Sequence, residues 1–193
     1  MRVIAGSARR LNLKTVPGDA TRPTTDRIKE TLFNILQNDI PGCRFLDLFA
    51  GSGGIGIEAL SRGASSAVFV DKSKEAVSCI KENLMHTRLM EDARVLNMDV
   101  LQALRVLEND AFRNREPFHI IFMDPPYSQG LEQQVLEGLK DSPLCTEETL
   151  IIVEADLHTD FSYLPEIGFR AVRYKEYKTN KHVFIVKHKN AAE

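Results

Sequence analysis

Short apolar runs recur along the chain from residue 44 onward, and each is followed by a longer stretch whose apolar residues return at helical spacing. The runs are Arg44–Leu48, Ala67–Val70, Ala93–Asn97, Phe118–Met123 and Leu150–Glu154. They are too short for helices and rich in branched and aromatic residues, so they predict strands. Ile55–Ser61, Lys74–His86, Leu101–Glu108 and Leu131–Lys140 predict the helices between them. Strands alternating with helices imply parallel strands joined by crossovers. The last stretch breaks that rhythm: Phe169–Tyr177 and His182–Lys187 flank the polar Lys178-Thr179-Asn180-Lys181 and predict an antiparallel hairpin. Ahead of the alternation, residues 2–15 predict a short hairpin turning at Gly6-Ser7. Pro17-Gly18-Asp19 and Arg22-Pro23 then break the chain before an amphipathic helix from about Thr25 to Gln37. Ile28, Leu32, Phe33, Ile35 and Leu36 supply its apolar face, Thr24 or Thr25 its cap, and Asp26 the acid suited to its first turn. The pattern predicts an α/β, doubly wound, mostly parallel seven-stranded sheet with a C-terminal antiparallel hairpin over residues 41–193. A hairpin-plus-helix extension, residues 1–40, packs on it.

In sheets of this kind ligands bind beyond the carboxyl ends of the strands. The first strand runs into Asp47-Leu48-Phe49-Ala50-Gly51-Ser52-Gly53-Gly54-Ile55-Gly56, where glycines permit a sharp turn and the close approach of a ligand. Asp71 ends the second strand, placed to accept hydrogen bonds from ribose hydroxyls. Gly51-x-Gly53-x-x-Gly56, with Asp71 twenty residues beyond Gly51, is also the dinucleotide fingerprint, so an NAD-dependent oxidoreductase stays open at this point. Asp47 speaks against it, because a carboxylate there repels a pyrophosphate and favours a ligand carrying an ammonium and a sulfonium. Asp99 follows the third strand and suits an adenine amine. The fourth strand ends in Asp124-Pro125-Pro126-Tyr127. Neither proline has an N–H, each fixes its own φ, and Pro126 pushes Pro125 towards an extended conformation. A stiff backbone with a carboxylate on one side and a flat ring on the other can grip a planar amine, such as the exocyclic NH2 of a nucleobase. Hydride transfer has no use for it.

Composition is that of an ordinary globular chain, with 43% hydrophobic and 27% charged residues. Its net charge of −2 conceals an asymmetry. Residues 1–30 hold seven basic groups against three acids, whereas the remainder holds 18 basic against 24 acidic groups. A basic segment on an acidic body is expected where one edge meets phosphates, and Arg9, Arg10, Arg22 and Arg27 are the candidates. Cys43, Cys79 and Cys145 are odd in number and far apart, so neither a disulfide framework nor a metal site is expected. No run suits a membrane span or a signal peptide, and a reduced cytoplasmic setting is expected. The five histidines have no metal-ligand spacing; His119 reads as a packed core residue, Glu154 as a cap or surface acid, and residues 187–193 as a frayed end.

The ordered set of glycines and strand-end acids resembles the class I, Rossmann-like S-adenosylmethionine-dependent methyltransferases, and the Asp124–Tyr127 tetrapeptide is like that of their amino-methylating members. Arg2-Val3-Ile4-Ala5-Gly6 and the stretch from Arg22 to Asn34 resemble the N-terminal signature of the RsmD family, which methylates the N2 amine of a guanine in 16S ribosomal RNA. The resemblance covers nearly the whole chain. It implies that Asp47, Gly51, Ser52 and Gly53 hold the methionine part of S-adenosylmethionine. Asp71, with Lys72 beside it, takes the ribose; Asp99 takes the adenine amine and Val100 lies against the adenine ring. Asp124 and the Pro125 carbonyl accept from the target amine, Pro126 stiffens the grip and Tyr127 stacks on the base. The implied reaction is direct displacement at the sulfonium methyl, without metal or covalent intermediate, by a monomer acting on 16S RNA either free or within the small subunit. Two other readings remain: an amino-methyltransferase for adenine N6 in DNA or RNA, and the NAD-dependent oxidoreductase.

Overall fold

The computed structural model describes residues 1–16, 26–114, 116–127 and 129–188. Its strands are β1 (Arg44–Leu48), β2 (Ser66–Asp71), β3 (Ala93–Asn97), β4 (Ile120–Met123), β5 (Leu150–Asp156), β6 (Phe169–Glu176) and β7 (Asn180–Lys187). The helices are α1 (Asp26–Ile35), α2 (Gly54–Ser61), α3 (Lys74–Thr87), α4 (Val100–Asn114) and α5 (Leu131–Leu139), with a 3-10 turn at Leu164–Ile167. The seven strands form a mostly parallel α/β sheet, as the alternation predicts. The chain divides into two compact units, Met1–Val100 and Leu101–Glu193.

In the first unit the strand order is β3-β2-β1, all parallel, with Asp47 level with Phe69 and Asp71 level with Asn97. Phe45, Leu46, Leu48, Phe69 and Val70 are buried, and burying each such side chain contributes roughly 1.5–3 kcal/mol. These strands read as continuous apolar runs because elements cover both their faces. The helix α2 is buried on every side, as its nearly uniform apolar sequence requires. Its one acid, Glu58, is compensated: Oε2 accepts from Ile4 N at 2.8 Å and lies 3.3 Å from Lys29 Nζ, while Oε1 accepts from Ala5 N and from Arg62 Nε.

That carboxylate explains the first departure from expectation. Residues 2–15 turn back as the expected short hairpin, but an irregular one: Arg2 bridges Asn12 antiparallel, Val3 N donates to the Leu11 carbonyl at 2.9 Å and Leu13 N to the Met1 carbonyl at 3.0 Å. The backbone donors of Ile4, Ala5, Ser7 and Ala8 are drawn instead to Glu58 and Ser61 of α2, so the pairing does not continue into the turn. Gly6 makes this approach possible: at φ +84°, a Cβ there would stand 1.7 Å from the Ser61 carbonyl oxygen. Lys29 is fully buried in α1 and donates to the Arg2 carbonyl at 2.6 Å. The expected caps Thr24 and Thr25 lie outside the described residues.

In the second unit the order is β4-β5-β7-β6. The strands β4 and β5 are parallel, β7 is antiparallel to β5, and β6 is antiparallel to β7 with an irregularity between Ala171 and Arg173. The helix α4 continues well past the expected end at Glu108. The strand β7 begins at Asn180, because Asn180, Lys181 and His182 all pair with the end of β5 and are buried there.

Candidate active site

The turn after β1 is held by its own unusual backbone. Phe49 adopts φ +61°, a left-handed conformation that is strained for a bulky residue by about 1–3 kcal/mol, and Gly51 and Gly53 follow at +56° and +79°. The third glycine of the fingerprint does a different job. A Cβ on Gly56 would lie 2.3 Å from the Phe69 ring, so its absence lets α2 lie on β2. Around Gly51, by contrast, a Cβ would meet nothing within 4 Å.

The hydrogen bonds of this turn define its polarity. Gly51 N donates to Asp71 Oδ2 at 2.9 Å, Gly53 N to the Ala50 carbonyl at 2.7 Å, and Gly56 N to Asp47 Oδ2 at 2.9 Å. Asp71 Oδ1 also accepts from Ser73 N at 2.9 Å, so Asp71 ties the glycine turn to the start of α3. Each of its oxygens keeps a further lone pair for a ligand hydroxyl. Asp47 departs from the expected ligand-facing acid. It is only 1% exposed and braces the turn from beneath. Burial pushes its carboxyl up to about 7, the Asp71 charge adds to that rise, and the Gly56 N–H opposes it.

Two asparagines, unremarked in the sequence pattern, complete the first unit's site. Asn97, at the end of β3, donates through Nδ2 to the carbonyls of Asp71 and Lys72, both at 3.1 Å, and so fixes the strand end that carries Asp71. Asn83 is buried on the apolar face of α3. Its Nδ2 donates to the Ser52 carbonyl at 2.9 Å and the Lys14 carbonyl at 3.0 Å, while its Oδ1 accepts from Lys14 N at 2.8 Å. A polar residue in an apolar helical stripe was the sequence signal for Asn83, as it was for Lys29. Lys72 and Asp99 are exposed, and Val100 is buried at the start of α4. Arg9, Arg10 and Arg27 are exposed; Arg22 lies outside the described residues.

In the second unit, β4 delivers its apolar residues to the core and stops at Met123. Asp124 is half-buried, Pro125 buried, and Pro126 exposed, all in neither helix nor strand, and the Tyr127 ring is 45% exposed. The next strand end reverses two expectations. Glu154 is buried, and its Oε2 faces His182 Nε2 at 3.1 Å, with His182 Nδ1 facing the Tyr177 hydroxyl at 3.1 Å. His182 is thus the core histidine of this unit, whereas His119 precedes β4 and is exposed. The three cysteines are buried, and burial pushes the thiols of Cys43 and Cys145 up to about 11. Among the described residues no group of three or more His, Cys, Asp or Glu could hold a metal ion, and no helix is long and apolar enough to cross a membrane. Lys187 donates to the Cys145 carbonyl at 2.7 Å, so the expected frayed end does not begin there; residues 189–193 lie outside the described residues.

Comparison with known proteins places this arrangement. The family model described as Conserved hypothetical protein 95 matches residues 1–186. The YlbH protein of Bacillus subtilis (strain 168) is 41% identical over 177 residues, which cover 91% of this chain and 92% of that one. Ribosomal RNA small subunit methyltransferase D of Escherichia coli (strain K12) is 34% identical over 165 residues, covering 86% and 79%. Among solved structures, yhhF from Escherichia coli superposes with a TM-score of 0.81 at 31% identity, covering 97% of this chain and 98% of that one. With a family model spanning nearly its whole length and full-length relatives above 30% identity, the chain belongs to the RsmD family.

Proposed function

We propose that the protein transfers a methyl group from S-adenosylmethionine to the exocyclic N2 amine of a guanine in 16S ribosomal RNA. The observation that carries this reading is the polarity of the glycine turn. A pyrophosphate needs backbone N–H donors aimed at it. Here the donors of Gly51, Gly53 and Gly56 are spent on Asp71, Ala50 and Asp47. Asp71 suits the ribose of either ligand, but Asp47 sets an acid beneath the turn where a pyrophosphate would be repelled and a cationic nucleoside favoured. Relatives named as ribosomal RNA small subunit methyltransferase D support the substrate.

S-adenosylmethionine, when bound, supplies an electrophilic methyl carbon. The chain's own residues divide the remaining work. Gly51, Ser52 and Gly53 hold the methionine part, with Asp47 lending charge from beneath. Asp71 accepts from the ribose hydroxyls, Lys72 flanks them, Asp99 accepts from the adenine amine and Val100 covers its ring. Asp124 and the Pro125 carbonyl accept from the target N2 and turn its lone pair, otherwise delocalised into the base, towards the methyl; catalysis is chiefly positioning and electrostatics. Pro126 keeps that backbone stiff. Stacking on Tyr127, worth about 1–3 kcal/mol, offsets part of the cost of unstacking the guanine. Thiols with pKa values near 11 hold almost no thiolate at neutral pH, so Cys43 and Cys145 are not nucleophiles here. Arg9, Arg10, Arg22 and Arg27 meet RNA phosphates, and the protein works as a cytoplasmic monomer.

The test is transfer of radiolabelled methyl to free 16S RNA and to small subunits, followed by mapping of the modified base. Asp124→Ala should lower transfer by about 100-fold or more, while S-adenosylhomocysteine still raises the melting temperature. Label on adenine, or stabilisation by NAD in place of S-adenosylhomocysteine, would overturn the reading.

A further inference from the structure

Three of the four large hydrophobic side chains exposed among the described residues lie in the second unit: Tyr127 of the tetrapeptide, and Val172 and Tyr174 of β6, which are 45% and 52% exposed. Tyr174 sits in a basic setting. Residues 169–178, Phe-Arg-Ala-Val-Arg-Tyr-Lys-Glu-Tyr-Lys, carry four cations against one acid. Arg170, Arg173 and Lys178 are exposed and Lys175 half-exposed. The nearby Lys181 is not part of this set, because its Nζ is committed to the carbonyls of Leu157 and Thr159 at 2.9 and 2.8 Å.

The strand register places this strip relative to the tetrapeptide. Met123 is level with Val153, so Asp124 is level with Glu154. Glu154 is level with His182, and His182 with Lys175. Because β6 is antiparallel to β7, and β7 to β5, the strand β6 runs in the same direction as β4. Lys175 and Lys178 therefore emerge at the same end of the sheet as Asp124–Tyr127. Three inter-strand steps of about 4.8 Å put the two some 14 Å apart.

An edge strand needs charge and irregularity to avoid pairing with other chains, and the cations with the Ala171/Arg173 irregularity would meet that need alone. An exposed aromatic on one face of the edge, with Lys181 Nζ 6.0 Å from its ring centroid and with Arg173 and Lys175 on the other face, works against such protection. It is the composition of a surface on which bases stack while cations meet the backbone phosphates. We infer that the β6 edge, with Arg170, Arg173, Tyr174, Lys175 and Lys178, is a second RNA-contact surface, which holds the unpaired nucleotides flanking the target guanine. This rests on the methyltransferase reading given above and extends it: the basic N-terminal segment is not the sole phosphate site.

The experiment compares wild type, Arg170→Gln/Arg173→Gln/Lys175→Gln and Tyr174→Ala. Each is titrated with a fluorescein-labelled 16S RNA transcript by anisotropy at several salt concentrations, and the thermal shift with S-adenosylhomocysteine serves as the folding control. The triple variant should lose up to about two units of the log–log salt slope, near 0.7 per phosphate contact on single strands. Tyr174→Ala should weaken binding roughly five- to a hundredfold with little change of slope. In both, KM for RNA should rise while KM for S-adenosylmethionine stays put. If wild type methylates the RNA and both variants bind it like wild type, the surface is edge protection and the inference falls alone. If wild type neither binds nor methylates the RNA, the methyltransferase reading falls with it.

Discussion

Asp47 places an acid where the fold resists a charge. Its folded pKa of about 7 lies above the ordinary 3.8, so between those values the folded state holds a proton that the unfolded state has lost. The stability contributed is complete below about pH 4 and disappears as pH rises through 7. Asp47→Asn keeps an acceptor for Gly56 N and removes the ionisation. It should therefore raise the melting temperature of the ligand-free protein at pH 8, by up to a few kcal/mol of stability, and change it little at pH 4. The same substitution should weaken S-adenosylmethionine binding modestly, because the negative charge beneath the turn is lost. Melting curves from pH 4 to 8 check this, and a difference that stays flat with pH would remove Asp47 from the account. Single-residue roles were the least legible part of the sequence. Asp47 reads as a ligand acid from its place at a strand end, and nothing local says that Gly56 will turn back to it. Glu154 reads as a surface acid because its partners, Asn180 and His182, arrive from a strand 26 and 28 residues later.

At the level of elements the pattern was far more informative. The bounds of β1 and β3 match the apolar runs residue for residue. The strand β1 is a buried parallel strand specified by its own composition, whereas β3, at the sheet edge, is legible from its short apolar run although none of its residues is buried. The N-terminal hairpin was legible but its irregularity was not, because the donors of its turn are claimed by Glu58 and Ser61, far along the chain. The seam of α2 on β2 yields a prediction of its own. Gly56→Ala pushes a methyl into the Phe69 ring, with 2.3 Å available, and no rotamer of the helix residue relieves it. The variant should lose about 1–3 kcal/mol of stability and also bind S-adenosylhomocysteine more weakly, as α2 carries the glycine turn. Chemical denaturation and calorimetric titration read the two effects, and retention of both would contradict the packing role.

For the molecule as a whole, the modest net charge of −2 hides a basic N-terminal segment whose Arg9 and Arg10 are exposed. Replacing both by Gln should reduce the salt slope of RNA binding by roughly one to two units and leave S-adenosylhomocysteine binding unchanged. An unaltered slope would return these residues to ordinary surface. One link from this segment to the glycine turn is Asn83, which holds the backbone N–H and carbonyl of Lys14 and the carbonyl of Ser52. If RNA engages this segment and S-adenosylhomocysteine the turn, the two ligands would share one ordering cost, because each would stiffen the same amide. Thermodynamic reciprocity then applies. The factor by which RNA tightens S-adenosylhomocysteine must equal the factor by which S-adenosylhomocysteine tightens RNA, and Asn83→Ala should bring both factors towards one. On that expectation the buried amide would make affinity for the product a function of whether RNA is still in place, and release of the RNA would loosen the spent cofactor.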